Sequence, residues 1–347
     1  MSGGVDSSVV AGLMARAGHE VIGVTLQLYD HGAATGRKGA CCAGQDIHDA
    51  RRVADRLGIA HYVVDAEQKF RSSVMAAFAD SYAAGQTPVP CVACNQHLKF
   101  GDLLDMARDF GAAALATGHY VRRVDGAQGP ELHKAADPAR DQSWFLFATT
   151  RAQLAFCRFP LGEIATKAEV RRLAADMGLD VADKPDSQDI CFVPAGNYAD
   201  IVEKFRPDAL AAGDIVTADG AVLGQHAGIA RYTVGQGKRL GNAAQHKGER
   251  MVVRAIEPGT RRIVVGPRQA AAREIRVRDV NWLVPPPAQP LRATTKLRAG
   301  ETPRPADVAA TAGGALLTLD EPALAAPGQA AVFYDGTRIL GGGFITT

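Results

Sequence analysis

Ser2-Gly3-Gly4-Val5-Asp6-Ser7-Ser8 packs two glycines, three hydroxyls and one carboxylate into seven residues and runs straight into an apolar stripe. Val5, Val9, Val10, Leu13 and Met14 recur at helical spacing, which makes the stretch a loop at a helix N-terminus. Free N–H groups and the positive end of the helix dipole favour an anion there. Gly3 and Gly4 let the backbone approach it closely, and Ser7 and Ser8 add hydroxyl donors. No lysine succeeds it as in the Gly-x-x-x-x-Gly-Lys loop, so the pattern points to pyrophosphate.

Beyond this loop, strands and helices alternate. Residues 20–26 form a β-branched run, Ile47, Ala50, Val53, Ala54 and Leu57 mark a helix ended by Gly58, and residues 61–65 form the next strand. Helices over about 67–83 and 96–110 and a strand over 113–117 complete an α/β pattern that predicts a doubly wound parallel sheet. Ligands bind such sheets beyond the carboxyl ends of their strands. Leu26 and Gly118 fall at such ends, where they either line an adenosine pocket or serve as plain packing. The chain turns helical over about 148–205, with 167–177 the clearest helix. From about 209 onward short β-rich runs alternate with Gly, Pro and Asn turns, predicting two small β modules. The expected division is 1–206, 207–270 and 271–347.

The composition is that of an ordinary soluble chain: 347 residues, 47% hydrophobic and 22% charged. It shows no membrane-spanning run and no signal peptide, which makes the cytoplasm the expected location. The net charge of +2 is uneven. Residues 231–304 carry 16 Lys and Arg against 5 Asp and Glu, suggesting a polyanionic partner or a solvated charged surface.

Six cysteines, four of them in the pairs Cys41-Cys42 and Cys91/Cys94, do not make a secreted disulfide framework in a chain this long. Cys94 stands in a proline-rich loop running into a helix, a setting that lowers a thiol pKa. Cys191 stands in a second polar loop. A single C-x-x-C is also half a zinc motif or a redox dithiol. Cys157, beside Phe156 and Phe159, reads as a small core residue.

The loop from Ser2 to Ser8 resembles that of the ATP pyrophosphatase (PP-loop) family. Four further signatures sharpen the resemblance. They are the segment from Pro90 through Cys94-Asn95 to Lys99-Phe100, residues 116–120, Lys134 and Asp137 with Asp141-Gln142-Ser143, and Ser187 with Ile190-Cys191-Phe192. Together they make the chain similar to tRNA-specific 2-thiouridylases over nearly its whole length. The resemblance implies an adenine nucleotide α-hydrolase-like adenylation domain, a small central domain and a C-terminal β-barrel. It implies ATP and Mg²⁺ at Ser2, Gly3, Gly4, Val5, Asp6, Ser7, Ser8, Leu26 and Gly118. Cys191 would carry a persulfide and Cys94 would be the nucleophile that closes a disulfide with it. His119, Asp141, Gln142, Ser143, Arg298 and Gln329 would touch tRNA, with lysine, glutamate and glutamine acceptors as substrates. A donor protein of a cysteine desulfurase relay would supply the sulfur.

One departure stands out: Cys91 occupies a position where many members carry an aspartate. It is a helper in proton transfer or, with Cys94 and Cys191, a ligand for an iron–sulfur cluster. The rival readings are another PP-loop enzyme, including a thiolase that uses such a cluster, and an RNA-binding protein stabilised by zinc at Cys41, Cys42, Cys91 and Cys94. Ser2 comes directly after Met1, whereas a buried strand ordinarily delivers such a loop. The expectation is that Met1 is an internal methionine and that the native chain carries an upstream apolar strand.

Overall fold

The structure, a computed structural model, describes residues 1–28, 42–186, 190–193, 197–268 and 272–346. The chain divides into two compact units. The first comprises Met1–Ser73, Ala93–Phe192 and Thr337–Ile339, and the second comprises Val74–Val92, Val193–Gly336 and Leu340–Thr347. No helix among the described residues is long and apolar enough to cross a membrane.

In the first unit, helix α1 (Val5–Arg16) leads into strand β1 (Ile22–Gln27), helix α2 (Cys42–Leu57) and strand β2 (Ala60–Asp65). β1 and β2 pair in parallel with Ile22 opposite Ala60, as their β-branched runs and the intervening helix require. Strands β3 (Leu115–Ala116) and β6 (Cys157–Arg158) form a second parallel ladder. Between them run the antiparallel strands β4 (Val121–Gly126) and β5 (Gly129–Lys134), a hairpin that periodicity did not single out. The parallel strands thus fall into two ladders. Met1 lies against β1, its amine donating to the Val24 carbonyl and its own carbonyl accepting from Thr25 Oγ1 at 2.6 Å.

The core behind the loop joins Val5, Val9 and Val10 of α1 to Val53 of α2 and to Val170 and Ala174 of helix α3 (Lys167–Asp176). α1 is not the simple amphipath its spacing predicts. Ser8, Val9, Val10, Ala11 and Gly12 are all buried, so its middle is enclosed on every side. That enclosure fixes the loop in front of it.

The second unit holds two β modules. A five-stranded sheet has the order β8-β7-β11-β10-β9, from β7 (Gly213–Thr217), β8 (Val222–His226), β9 (Gln245–His246), β10 (Glu249–Glu257) and β11 (Arg262–Pro267). The strands β12 (Ala272–Trp282), β13 (Leu291–Lys296), β14 (Arg304–Thr311), β15 (Gly314–Ala323), β16 (Ala330–Asp335) and β17 (Arg338–Ile345) curl into a barrel. β12 closes it by pairing with β15 on one side and β17 on the other, which removes the open edges of the sheet. Leu317 and Leu319 of β15 and Ala331 and Phe333 of β16 share its core, two residues apart on each strand as alternation demands.

Candidate active site

The loop before α1 is built to present donors. Gly4, the N-cap residue, makes no side-chain cap, whereas the helices starting at Arg151 and Lys167 are capped by Thr150 and Thr166. Among the described residues no side chain caps the first-turn N–H groups of α1. Gly3 has φ +70°, and a Cβ there would collide with the Asp46 carbonyl, so only glycine permits the turn. Ser7 Oγ accepts from the Ser2 N–H at 3.0 Å and lies 3.1 Å from Ser2 Oγ, while Ser8 Oγ donates to the Gly4 carbonyl at 2.8 Å. Gly118, just past β3, approaches the loop closely: a Cβ would sit 3.1 Å from Asp6 Cβ and from Ser7 N. Leu26 is half-buried in β1.

Two lysines that sequence patterning did not single out bind this loop from elsewhere in the unit. Lys167 Nζ donates to both carboxylate oxygens of Asp6, at 2.7 and 2.8 Å, and pairs with Asp186 at 2.8 Å. The Tyr120 hydroxyl donates to Asp6 at 2.6 Å; burial and that carboxylate push its pKa far up. Lys184 Nζ donates to the Gly3 carbonyl at 2.9 Å, to Asp46 at 2.7 Å and to Asp49 at 2.6 Å. Burial lowers the Lys184 pKa, but its bonds to the two carboxylates outweigh that and raise it. The loop lacks a cation of its own, and the fold brings two to it.

Cys94 and Cys191 belong to the first unit and Cys91 to the second; Cys91, Cys94, Cys157 and Cys191 are all thiols. Cys94 ends the short helix Pro90–Cys94, which continues into a π-helix at Asn95–Asp102. The expected lowering of its pKa is not what the structure gives. Cys94 is buried, and desolvation pushes its thiol up against the weaker pull of Lys99. Asn95 beside it donates to the Phe145 carbonyl at 3.3 Å, and its buried Oδ1 has no partner among the described residues. Cys191 and Cys91 are exposed. Cys157 is fully buried and is pushed up to about 12 by burial, as a core residue would be.

Among the described residues, no three His, Cys, Asp or Glu side chains form a group able to hold a metal ion. The iron–sulfur expectation for Cys91, Cys94 and Cys191 thus has no support in the geometry. Of the zinc set, Cys41 lies outside the described residues, as do residues 187–189 of the Cys191 signature. A Mg²⁺ ion held mainly by phosphate oxygens needs only one or two carboxylates, and Asp6 beside the donor loop meets that demand.

Several expected tRNA contacts spend their polar groups inside the fold. Asp141 accepts from the N–H groups of Ala135 and Ser143 at 3.2 and 3.1 Å and from the Ser143 hydroxyl at 2.8 Å, and Ser143 is fully buried. Gln142 accepts from the Tyr120 N–H at 2.9 Å. His119 Nδ1 lies 2.9 Å from Thr117 Oγ1, and burial and Lys99 hold its pKa well below the usual value, so the ring is neutral. In the second unit, Gln329 donates to the Thr87 carbonyl at 3.1 Å, and Arg298 is exposed.

The chain matches three family models in succession: a tRNA methyl transferase HUP domain at residues 1–195, a tRNA methyl transferase PRC-barrel domain at 199–267 and an aminomethyltransferase beta-barrel domain at 272–345. It is 71% identical to the tRNA-specific 2-thiouridylase MnmA of Acidiphilium cryptum, over 99% of this chain and 98% of that protein. It is 61% identical to the protein of the same name from Gluconobacter oxydans, over 100% of this chain and 97% of that one. Among solved structures, an NMN synthetase from Francisella tularensis shares 20% identity at a TM-score of 0.34, covering 58% of this chain and 73% of its own.

Proposed function

Because the chain belongs to the tRNA-specific 2-thiouridylase family, we propose that its uncapped loop holds ATP for a thiolation completed by two thiols of the same unit. The enzyme is a tRNA sulfurtransferase that forms 2-thiouridine with consumption of ATP. The observation that carries the mechanism is the donor loop at Gly3–Ser8, closed by Gly118 and fastened by Lys167 and Lys184.

In this reading the triphosphate lies on the N-terminus of α1, with Ser2 and Ser7 hydroxyls and backbone N–H groups as donors. Asp6 is the loop carboxylate that would hold a Mg²⁺ ion, which would supply charge neutralisation for the departing pyrophosphate. The C2 oxygen of the wobble uridine, position 34, attacks the α-phosphorus, and pyrophosphate departs in line. The terminal sulfur of a Cys191 persulfide then attacks C2, and AMP leaves with the former uridine oxygen. Cys94 attacks Cys191 Sγ, the S–S bond to the transferred sulfur breaks, and a Cys94–Cys191 disulfide remains. Burial raises the Cys94 pKa, so this last step requires that its proton be taken up by a base.

Cys91 is assigned as a helper in proton transfer. His119, Asp141, Gln142, Ser143, Arg298 and Gln329 are assigned to the tRNA-bound state, in which the anticodon base is splayed out for chemistry. Acceptors for lysine, glutamate and glutamine are the substrates, a cysteine desulfurase relay supplies the persulfide, and the work is cytoplasmic. The test is in vitro. Unmodified tRNA, ATP and a persulfide donor yield AMP, pyrophosphate and 2-thiouridine in equal amounts. Pyrophosphate without thiolated nucleoside would refute the sulfur-transfer assignment.

A further inference from the structure

Lys167 touches two parts of the first unit at once. Its ammonium holds both oxygens of Asp6 in the phosphate loop and, at 2.8 Å, one oxygen of Asp186. Asp186 lies five residues before Cys191. The bridge is well shielded, with the side chains of Lys167 and Asp186 only 11% and 17% exposed. Solvent therefore weakens it far less than a surface pair.

The two carboxylates are unequally supplied. Among the described residues Lys167 is the one cation paired with Asp6, whereas Asp186 also meets Arg140 at 2.6 Å and Arg171 at 3.8 Å. Burial pushes the Asp186 pKa up, but its bonds to Lys167 and Arg140 carry it below the usual carboxylate value. An ammonium leaving Asp186 would thus not strand a buried charge. A triphosphate arriving at the N-terminus of α1 brings negative charge beside Asp6, where Lys167 is the cation already in place to answer it. A ligand shifts a conformation only through contacts it makes better in one state, and the choice of Lys167 between phosphate and Asp186 is such a contact.

We infer that Lys167 is a positioning residue that couples occupation of the phosphate loop to the Cys191 segment: bound nucleotide draws its ammonium off Asp186, and Cys191 reactivity changes with it. The coupling suits the chemistry, because sulfur released before the uridine is activated is lost to other acceptors. It rests on the reading that Cys191 carries the transferred sulfur.

The test uses the full chain and a non-hydrolysable ATP analogue with Mg²⁺. Alkylation of Cys191 by iodoacetamide is followed by peptide mass spectrometry, with and without the analogue. The expected change in rate is about fivefold or more, the lower end of ordinary coupling. Asp186→Asn keeps Lys167 on Asp6. It is expected to bind the analogue more tightly than the parent, because the carboxylate competing for Lys167 is gone, while its alkylation rate no longer responds. Lys167→Arg, which keeps the charge, retains part of the response that Lys167→Met loses. An unresponsive parent, or an Asp186→Asn protein with the full response, overturns the inference. Amide exchange in the 183–192 peptide of the unaltered protein gives a reading independent of any variant's stability: faster exchange with analogue supports the coupling, and unchanged exchange refutes it. Normal thiolation by Cys191→Ser would overturn the persulfide reading alone, since none of these responses depends on sulfur transfer.

Discussion

Three thiols of the first unit sit in settings different enough to set their chemistry apart. Cys157 is fully buried and raised to about 12, so it contributes packing and no thiolate near neutral pH. Cys191 is exposed, and Cys94 is buried yet close to Lys99, whose charge partly offsets desolvation. Cys94→Ser and Cys191→Ser are each expected to abolish 2-thiouridine formation while leaving tRNA binding nearly intact, read by nucleoside mass spectrometry and filter binding. Cys157→Ala is expected to thiolate normally and to lose about 1 kcal/mol of stability. Lys184 is the structural counterpart. Lys184→Met leaves Asp49 without its cation and frees the Gly3 carbonyl, at a cost of about 1–2 kcal/mol, discounted because Asp46 is half-exposed. The pH dependence has two flanks of opposite sign. Lys184 has a raised pKa, so its share of stability is full below the ordinary lysine value and is lost as pH rises through the raised one. Asp49 has a lowered pKa: burial raises it, and its bond to Lys184 more than offsets that. Its share is present above the ordinary carboxylate value and disappears as pH falls through the lowered one. Urea unfolding of the parent is expected to weaken at both extremes, and Lys184→Met should flatten both flanks.

Elements divide by whether their cause is local. α1, α2, α3 and the strands β1 and β2 were legible because apolar spacing, terminal glycines and β-branched runs act over a few residues. The turn before α1 was legible for the same reason, since Gly3 and the apolar spacing behind it act locally. Lys167 and Lys184 were not. Each lies more than 160 residues from the loop it fastens, and a lysine at a helix start or before a proline carries no sign of its partner. Cys94 was misjudged because a helix terminus can be read from sequence, whereas the burial that dominates its pKa comes from packing. The β4–β5 hairpin escaped because its strands are short and mixed in polarity. Gly118 tests how closely β3 and α1 must meet. Gly118→Val puts a branched side chain where a single Cβ already lies 3.1 Å from Asp6 and Ser7. ATP affinity is expected to fall about tenfold, some 1.4 kcal/mol, by calorimetry, with little change in far-ultraviolet circular dichroism. Unchanged affinity would remove Gly118 from the nucleotide site.

At the scale of the whole chain, the surplus of charge in residues 231–304 is partly answered by carboxylates beyond that window. Arg292 pairs at 3.6 Å with Asp307 on the adjacent strand β14 and with Asp320 on β15, the next strand beyond it. Arg278 pairs with Asp279 and lies 5.6 Å from the Phe344 ring. These cations already have carboxylate partners within the chain. Arg298 differs: it is exposed, no carboxylate among the described residues pairs with it, and its guanidinium makes only a long 3.5 Å contact to the Leu324 carbonyl. A guanidinium so placed is available to a phosphate, where each contact releases a counterion. Arg298→Ala is therefore expected to reduce the slope of log K against log salt for tRNA binding by about 0.7–0.9. Arg292→Ala is expected to leave both that slope and the unfolding midpoint of the barrel nearly unchanged, because its ion pairs are exposed and solvent screens them. Binding isotherms over a range of salt separate the two, and equal loss of slope in both variants would mean that tRNA recruits paired and unpaired arginines alike.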